Sequence, residues 1–148
     1  MKFFKKQGVT LLSLSMVLGT TVAMADANSA VGTWKTIDDV TGKPTSYVQI
    51  YSAGSSLQGR VVKLLPDAKK SVCDVCPGSF KNKPITGMVV MWGYQPKGDG
   101  SWTNGHIIDP NNGKIYKSNL SVSGNTLNVR GYIGFSALGR TQNWYRVK

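Results

Sequence analysis

The amino-acid sequence predicts an all-β protein, an eight-stranded antiparallel up-and-down barrel. Short runs of β-branched and aromatic residues recur eight times along the chain, and most are separated by Gly, Pro, Asn or Asp turn signals. After an N-terminal leader is set aside, 123 residues remain, a length typical of one domain. Sequential strands joined by hairpins close most simply into a barrel, because closure leaves no exposed strand edge.

The leader has the three parts of a secretory signal peptide. A cationic start, KFFKK at 2–6, is followed by an uncharged apolar run at 9–22 and by the small-x-small sequence AMA at 23–25. The apolar run is too short to span a bilayer stably, so a cleaved leader is favoured over an uncleaved anchor. We therefore expect residues 1–25 to be removed and residues 26–148 to form one domain in the periplasm or outside the cell.

The eight runs define the predicted strands. They are 31–37, 46–52, 57–65, 85–94, 101–108, 114–122, 126–133 and 140–147.

The connections between the runs carry explicit turn chemistry. They include TGKP at 41–44, AG at 53–54, KGDG at 97–100, DPNNG at 109–113 and SGN at 123–125. Glycine and asparagine supply positive φ angles and proline presets its own, so these connections predict hairpins. Two segments depart from the pattern, a long connection at 66–83 around two cysteines and an apolar stretch at 134–139 that could form a helical turn closing one barrel end.

The charge is basic but dispersed. Without the three lysines of the leader, 15 of the 18 basic residues remain against seven acidic residues, all aspartate, which gives a formal net charge of +8. The basic residues are scattered singly, and Lys69–Lys70 is the only adjacent pair, so no stripe suited to a phosphate backbone is visible. We expect no nucleic-acid partner, whereas anionic envelope components could attract such a chain.

Several short motifs are similar to those of a known family. The first strand opens with Gly32-Thr33-Trp34, a Gly-x-Trp similar to that of the lipocalins. Further motifs are LQGRVV at 57–62, PITGM at 84–88, WTNGHIIDP at 102–110, GKIY at 113–116, VRGYIG at 129–134 and GRTQNW at 139–144. Together they resemble the DUF2147 family of small exported bacterial proteins, across nearly all of the chain after the leader.

The resemblance implies a lipocalin-like barrel in the periplasm or beyond. In the lipocalin pattern the tryptophan closes one barrel end beneath a basic residue of the last strand. Carried over to this chain, Trp34 would be the closing residue and Arg146 or Arg140 its basic partner.

The Cys73-Asp74-Val75-Cys76 segment has three possible uses. Two thiols at this spacing can form a structural disulfide, exchange it, or supply half of a zinc site. In an exported chain with no other cysteine, the disulfide is favoured. A redox-active pair would need a helix N-terminus, and a zinc site would need further ligands although the chain has a single histidine.

No residues form a recognisable catalytic set. His106 stands three residues before Asp109, but positions three apart in a strand face opposite sides and no nucleophile motif accompanies them. Glutamate is absent, and most aspartates stand where turns account for them. We therefore predict no catalytic residue, metal or cofactor.

The period of two predicts which side chains face the barrel interior. Candidates on a common face are Val48 and Ile50 of the second run, Met88, Val90 and Trp92 of the fourth, and Leu127 and Val129 of the seventh, with Tyr116 or Arg130 as polar groups. Apolar and methionine walls with a few polar groups suit an apolar or amphipathic ligand. The alternative is a filled core, because eight strands enclose just enough space for side chains or for one small ligand.

These observations favour a non-enzymatic periplasmic protein that binds a small apolar or amphipathic molecule, of fatty-acid or lipid type, inside the barrel. One alternative is an envelope interaction module that acts through its basic surface and the Cys73 to Cys76 loop. Another alternative is a thiol oxidoreductase that uses the same cysteine pair.

Overall fold

A computed structural model of the chain describes residues 28–148, apart from the side chain of Ser136. The predicted leader, residues 1–25, lies outside the described residues. Eight antiparallel strands form one closed barrel in which each strand pairs with its neighbours in sequence and β1 pairs with β8. The predicted fold class, an eight-stranded up-and-down barrel, is confirmed.

The strands are β1 (Gly32–Ile37), β2 (Pro44–Ala53), β3 (Ser56–Leu64), β4 (Val89–Gly98), β5 (Ser101–Ile108), β6 (Ile115–Ser123), β7 (Thr126–Tyr132) and β8 (Arg140–Arg146). Two short 3-10 turns, Gly78–Phe80 and Ser136–Leu138, lie in the connections.

The strand directions give the barrel two different ends. The β2–β3, β4–β5 and β6–β7 connections are tight hairpins at one end, where the segment before β1 also lies, and we call this the closed end. The β1–β2, β3–β4, β5–β6 and β7–β8 connections, which are longer, lie at the other end, which we call the mouth.

The fourth predicted strand is placed too early in the sequence. Residues 85–88 belong to the long connection, in which the Ile85 N–H bonds to the Ser71 carbonyl and Gly87 has a φ of 90°. Strand β4 begins at Val89 and continues to Gly98, so the hairpin turn is reduced to Asp99 and Gly100.

Two irregularities in β4 change which side chains face inward. From the Arg60–Val89 pair to the Gly59–Met91 pair, β4 moves by two residues and β3 by one. From there to the Leu57–Tyr94 pair, β4 moves by three residues and β3 by two. The second irregularity includes Gly93, whose φ of 77° suits glycine. Because each extra residue shifts the alternation, Met91 and Tyr94 are both buried although they are three positions apart.

Inward glycines make room for the largest core side chains. A Cβ at Gly105 would overlap the ring of Tyr94, and a Cβ at Gly59 would lie 2.9 Å from the sulfur of Met91. Tyr94 and Met91 are each 1% exposed. The Tyr94 ring therefore fills the space beside Gly105, and the Met91 side chain fills the space beside Gly59. The closed half of the barrel is therefore filled by side chains.

The Gly105→Ala substitution should destabilise the barrel strongly, because the new methyl group overlaps the buried Tyr94 ring. We expect a loss of about 3 kcal/mol in the free energy of unfolding, measured by urea denaturation. Gly131→Ala is the matched control, since a Cβ there lies 3.6 Å from its nearest neighbour, an ordinary contact. Equal stabilities of the two variants would contradict the packing described for Tyr94.

Candidate functional site

The closed end is plugged by a tryptophan beneath an arginine. Trp34 is fully buried, and its indole Nε1 donates a hydrogen bond to the Ala30 carbonyl at 2.8 Å. The guanidinium of Arg146 lies 4.3 Å from the centre of the Trp34 ring and donates to the Ser29 carbonyl at 3.1 Å. This combination of a cation–π contact and hydrogen bonds ties the segment before β1 across the barrel end.

Arg140 lies at the opposite end of the molecule. Its Nε is 2.7 Å from an Asp39 carboxylate oxygen, so it joins the start of β8 to the β1–β2 loop at the mouth. Of the two arginines considered as the partner of Trp34, the one that contacts the indole is Arg146. The alternative of Arg140 is wrong, because it is six residues further back along β8 and thus at the other barrel end.

A cavity of about 610 Å³ opens at the mouth. Its deeper walls are apolar and come from six strands, namely Val48, Val61, Val90, Ile107, Val129 and Trp144. Polar side chains that reach it include Thr36, Ser46, Tyr116 and Gln142. The interior is therefore filled in the closed half and hollow in the half nearer the mouth.

Two polar side chains of the cavity wall, Tyr116 and Gln142, form hydrogen bonds with neighbouring side chains. The Tyr116 hydroxyl accepts a bond from the Asn112 side-chain amide at 3.0 Å, and the Gln142 carbonyl oxygen accepts one from the Trp144 indole at 3.0 Å. Gly131 also lines the wall, beside Tyr116 and Ile107, and leaves space where a side chain would stand.

Charges around the mouth are arranged in ion pairs. Asp38 pairs with Lys69 at 3.3 Å, and the Asp39 to Arg140 pair closes the same side of the rim. The backbone N–H of Thr41 lowers the pKa of the Asp38 carboxyl, and Val40 and Lys69 add to this effect against a partly opposing desolvation. The carboxylate is thus kept ionised, and the apolar interior is ringed by paired charges.

Two buried hydroxyls lie in the filled half of the barrel. The Tyr94 and Ser118 hydroxyl oxygens are both enclosed, and neither has a partner in hydrogen-bond geometry among the described residues. Burial raises the pKa of Tyr94 far above its ordinary value, and the neighbouring Ser118 hydroxyl offsets this only in part. Tyr94 is therefore a neutral core residue.

The predicted interior residues fall into three groups: four that line the cavity, three that are buried elsewhere, and Trp92 and Arg130, which lie on the outer side. Val48, Val90, Tyr116 and Val129 line the cavity. Ile50 and Leu127 are buried deeper, towards the closed end, while Met88 is buried in the core just before β4 begins. Whether the first group contacts a ligand stays a prediction.

Trp92 was predicted to face the interior, and the structure places it outside. Ile107 lines the cavity and Gly105 faces the Tyr94 ring, so His106 between them points outward. Trp92 stacks on His106 with ring centres 5.8 Å apart. Phe80 of the long connection stacks on Trp92, with ring centres 5.9 Å apart. The irregularities in β4 are the reason, since Met91 takes the inward position.

Arg130 is likewise on the outer surface. It donates to the Thr141 hydroxyl at 3.0 Å and lines an outer groove with residues such as Asn119 and Asn128. Its neighbour Val129 faces the cavity, and two consecutive residues of a regular strand cannot both do so. The prediction of Arg130 as an interior polar group is wrong for this reason.

The cavity also contains residues that the sequence reasoning did not select. Val61 and Trp144 are buried, lie in predicted strands, and follow the period of two, so that signal could have found them. Ile107, which is partly buried, could not be separated from its equally apolar and fully buried neighbour Ile108. The Gln142 side chain had no distinguishing sequence signal.

Cys73 and Cys76 form a disulfide within the long β3–β4 connection. Both residues are buried, and Gly113 of the β5–β6 connection packs so closely on Val75 that a Cβ would overlap its carbonyl. The disulfide loop is thus seated on the neighbouring loop and shapes one side of the mouth. Its burial keeps an attacking thiolate away from the sulfurs, which does not favour thiol exchange.

Within residues 28–148, no group of three or more His, Cys, Asp or Glu side chains is placed to hold a metal ion. None of the helices in this part of the chain has the length and apolar character needed to cross a membrane.

A barrel with one end plugged by a tryptophan under an arginine and the other open to an apolar cavity is a lipocalin-like barrel. The chain belongs to the family described as "Uncharacterized protein conserved in bacteria (DUF2147)", whose model matches residues 32–146. The predicted family is confirmed.

One solved structure with the same fold is protein HP1028 from the human pathogen Helicobacter pylori, described as belonging to the lipocalin family. The two chains are 19% identical, with a TM-score of 0.71, and the match covers 80% of this chain and 82% of that chain. At this identity the likeness shows the fold. No curated protein matches the sequence.

The plug at the closed end can be tested with two arginine variants. Arg146→Met removes the contact with Trp34 and the bonds to backbone carbonyls, so we expect about 2 kcal/mol less stability in urea denaturation. Arg140→Met removes only an exposed ion pair and should cost less than about 1 kcal/mol. Equal losses in the two variants would show that the plug does not contribute as described.

Proposed function

We propose that this protein is exported and binds a small apolar or amphipathic molecule in the barrel cavity. The observation that carries the proposal is the cavity of about 610 Å³ with apolar walls and an opening at the mouth. Ligand sites in proteins commonly measure about 300 to 1,000 Å³ and combine apolar walls with a few polar groups. The cavity fits that description in both size and lining.

The distribution of polar groups favours one orientation of the ligand. Apolar side chains such as Val48 and Val129 form the deeper wall, while the charged pairs and the Tyr116 hydroxyl lie towards the rim. Burying an ion without a partner is costly, and the deeper wall offers none. The apolar part of the ligand therefore enters first, and its polar part remains near the mouth.

The proposed location outside the cytoplasm rests on the sequence of residues 1–25 and is supported by the disulfide. Structural disulfides persist in oxidising compartments and are rare in the cytosol. The Cys73 to Cys76 disulfide shapes the loop beside the mouth, so an oxidising compartment would also maintain the shape of the opening. Envelope lipids and other periplasmic solutes are the matching ligand sources.

A substitution that fills the cavity tests the proposal. Gly131 lines the cavity, its backbone accepts a Cβ at ordinary contact distances, and the side chain of Gly131→Leu would occupy part of the hollow. With the apolar fluorescent probe N-phenyl-1-naphthylamine, we expect saturable one-to-one binding to the unmodified protein. We expect about tenfold weaker binding by the variant, a change of about 1.4 kcal/mol.

Gly131→Ala is the control, because it adds one methyl group and leaves most of the cavity open. Its probe affinity should stay within about twofold of the unmodified protein, and urea denaturation establishes that all three proteins are folded. The proposal fails if the unmodified protein shows no saturable binding, or if all three proteins bind the probe equally.

A further inference from the structure

The four most exposed large apolar side chains of the described residues lie on two loops at the mouth. Val40 of the β1–β2 loop is 85% exposed, and Ile133, Phe135 and Leu138 of the β7–β8 connection are 62%, 78% and 76% exposed. The next most exposed, Val75, reaches only 50%. We refer to Val40, Ile133, Phe135 and Leu138 as the mouth patch. Leu138 lies in a 3-10 turn within the 134–139 stretch that could have closed a barrel end, but its side chain is exposed rather than packed over that end.

The β1–β2 loop is fixed by hydrogen bonds and is joined by an ion pair to the end of the β7–β8 connection. The Asp38 carboxylate accepts the backbone N–H groups of Val40 and Thr41 at 2.8 and 2.9 Å, which fixes the turn that carries Val40. The Asp39 to Arg140 ion pair then links this loop to the residue that follows the β7–β8 connection. Val40 is therefore presented by a fixed turn that is linked to the loop carrying the other three residues.

The mouth patch is continuous with the cavity. Val40, Ile133 and Leu138 each contribute to the outermost part of the cavity wall as well as to the surface. Below them the wall continues with Val129 and Trp144. An apolar path therefore runs from the outer surface of the molecule into the barrel.

The charges at this end favour an anionic surface. Among the described residues of the four mouth loops and Arg140, four cations are matched by the carboxylates of Asp38, Asp39, Asp67 and Asp74. The remaining lysines are Lys81, Lys83 and Lys114, whereas Asp109, the remaining carboxylate, bonds to the backbone of its own turn. The mouth end thus combines protruding apolar side chains with a positive excess.

We infer that the mouth end docks on the surface of an anionic lipid bilayer. The mouth patch would enter the headgroup and acyl boundary while the lysines face the headgroups, the arrangement by which peripheral proteins bind membranes. Bulky apolar residues on the tips of two loops suit insertion into a soft surface. A second copy of this chain is the less suitable partner, because chains of charge +8 repel each other and four loop residues fall short of the roughly 800 Å² that a stable interface buries on each side.

Co-sedimentation with vesicles tests the inference. The protein is expressed with its own leader, its intact mass is checked, and it is mixed with vesicles of phosphatidylcholine alone or with phosphatidylglycerol. We expect binding to the anionic vesicles that weakens as salt is raised. The partition coefficient of the Phe135→Ser/Leu138→Ser variant onto anionic vesicles should be lower by about tenfold or more. Val40→Ser, an independent change on the other loop, should also lower it.

Tyr145→Ser is the matched control. It removes an exposed aromatic ring from β8 next to the closed end, so it should bind the vesicles like the unmodified protein. The mouth patch variants change exposed loop residues, and circular dichroism establishes that each variant and the control are folded.

The inference is overturned if the unmodified protein does not bind anionic vesicles, if it binds both kinds of vesicle equally, or if the mouth patch variants bind as well as the control. Sedimentation velocity tests the alternative of a dimer. If the unmodified protein is a dimer that does not bind vesicles, and the mouth patch variants are monomers, the patch is an interface with a second copy and the inference is overturned. Docking is measured without a ligand, whereas probe uptake is measured without vesicles. Failure of one therefore leaves the other readout intact.

Discussion

The stacking of the Arg146 guanidinium on the Trp34 indole, 4.3 Å from the ring centre, gives this barrel its two different ends. The same two residues are paired across β1 and β8, so the contact forms at the seam where the sheet closes on itself. Because the segment before β1 is bound there as well, one end of the barrel is covered. Any access to the interior is thereby confined to the mouth.

The inward-facing glycines separate the filled half of the barrel from the hollow half. At Gly59 and Gly105 the missing side chain is replaced by a large one from a neighbouring strand, Met91 or Tyr94. At Gly131 no side chain takes the space, and the cavity extends there instead. The interior volume of an eight-stranded barrel is close to the limit for holding a ligand, so a few such positions decide whether it is hollow.

The loops determine what can reach the cavity. The disulfide loop packs on the β5–β6 connection, and the Asp39 to Arg140 pair joins the loops on the β1 and β8 side. The rim is therefore built from contacts between loops, and the buried disulfide joins it to the barrel core. The loops carry the exposed mouth patch, and the strands below them carry the apolar cavity wall.

Strand number and order follow from the sequence because turn residues and the period of two are local signals. The start of β4 does not, since an apolar run containing Ile85 and Met88 has the same pattern whether those residues lie in a strand or anchor a loop. The outward position of Trp92 depends on irregular pairing between β3 and β4, which has no pattern in the sequence. Likewise, the choice of Arg146 over Arg140 depends on the register of β8 against β1.

Whether the interior is hollow was also beyond the sequence, because it depends on how Tyr94 and Met91 pack against Gly105 and Gly59. Native mass spectrometry of the protein, purified from its own source and compared with the same sample under denaturing conditions, tests the central claim most directly. The account predicts an added small-molecule mass that is released on denaturation and can be replaced by an added apolar ligand. Observation of the bare protein mass alone, with no added mass even at excess apolar ligand, would contradict it.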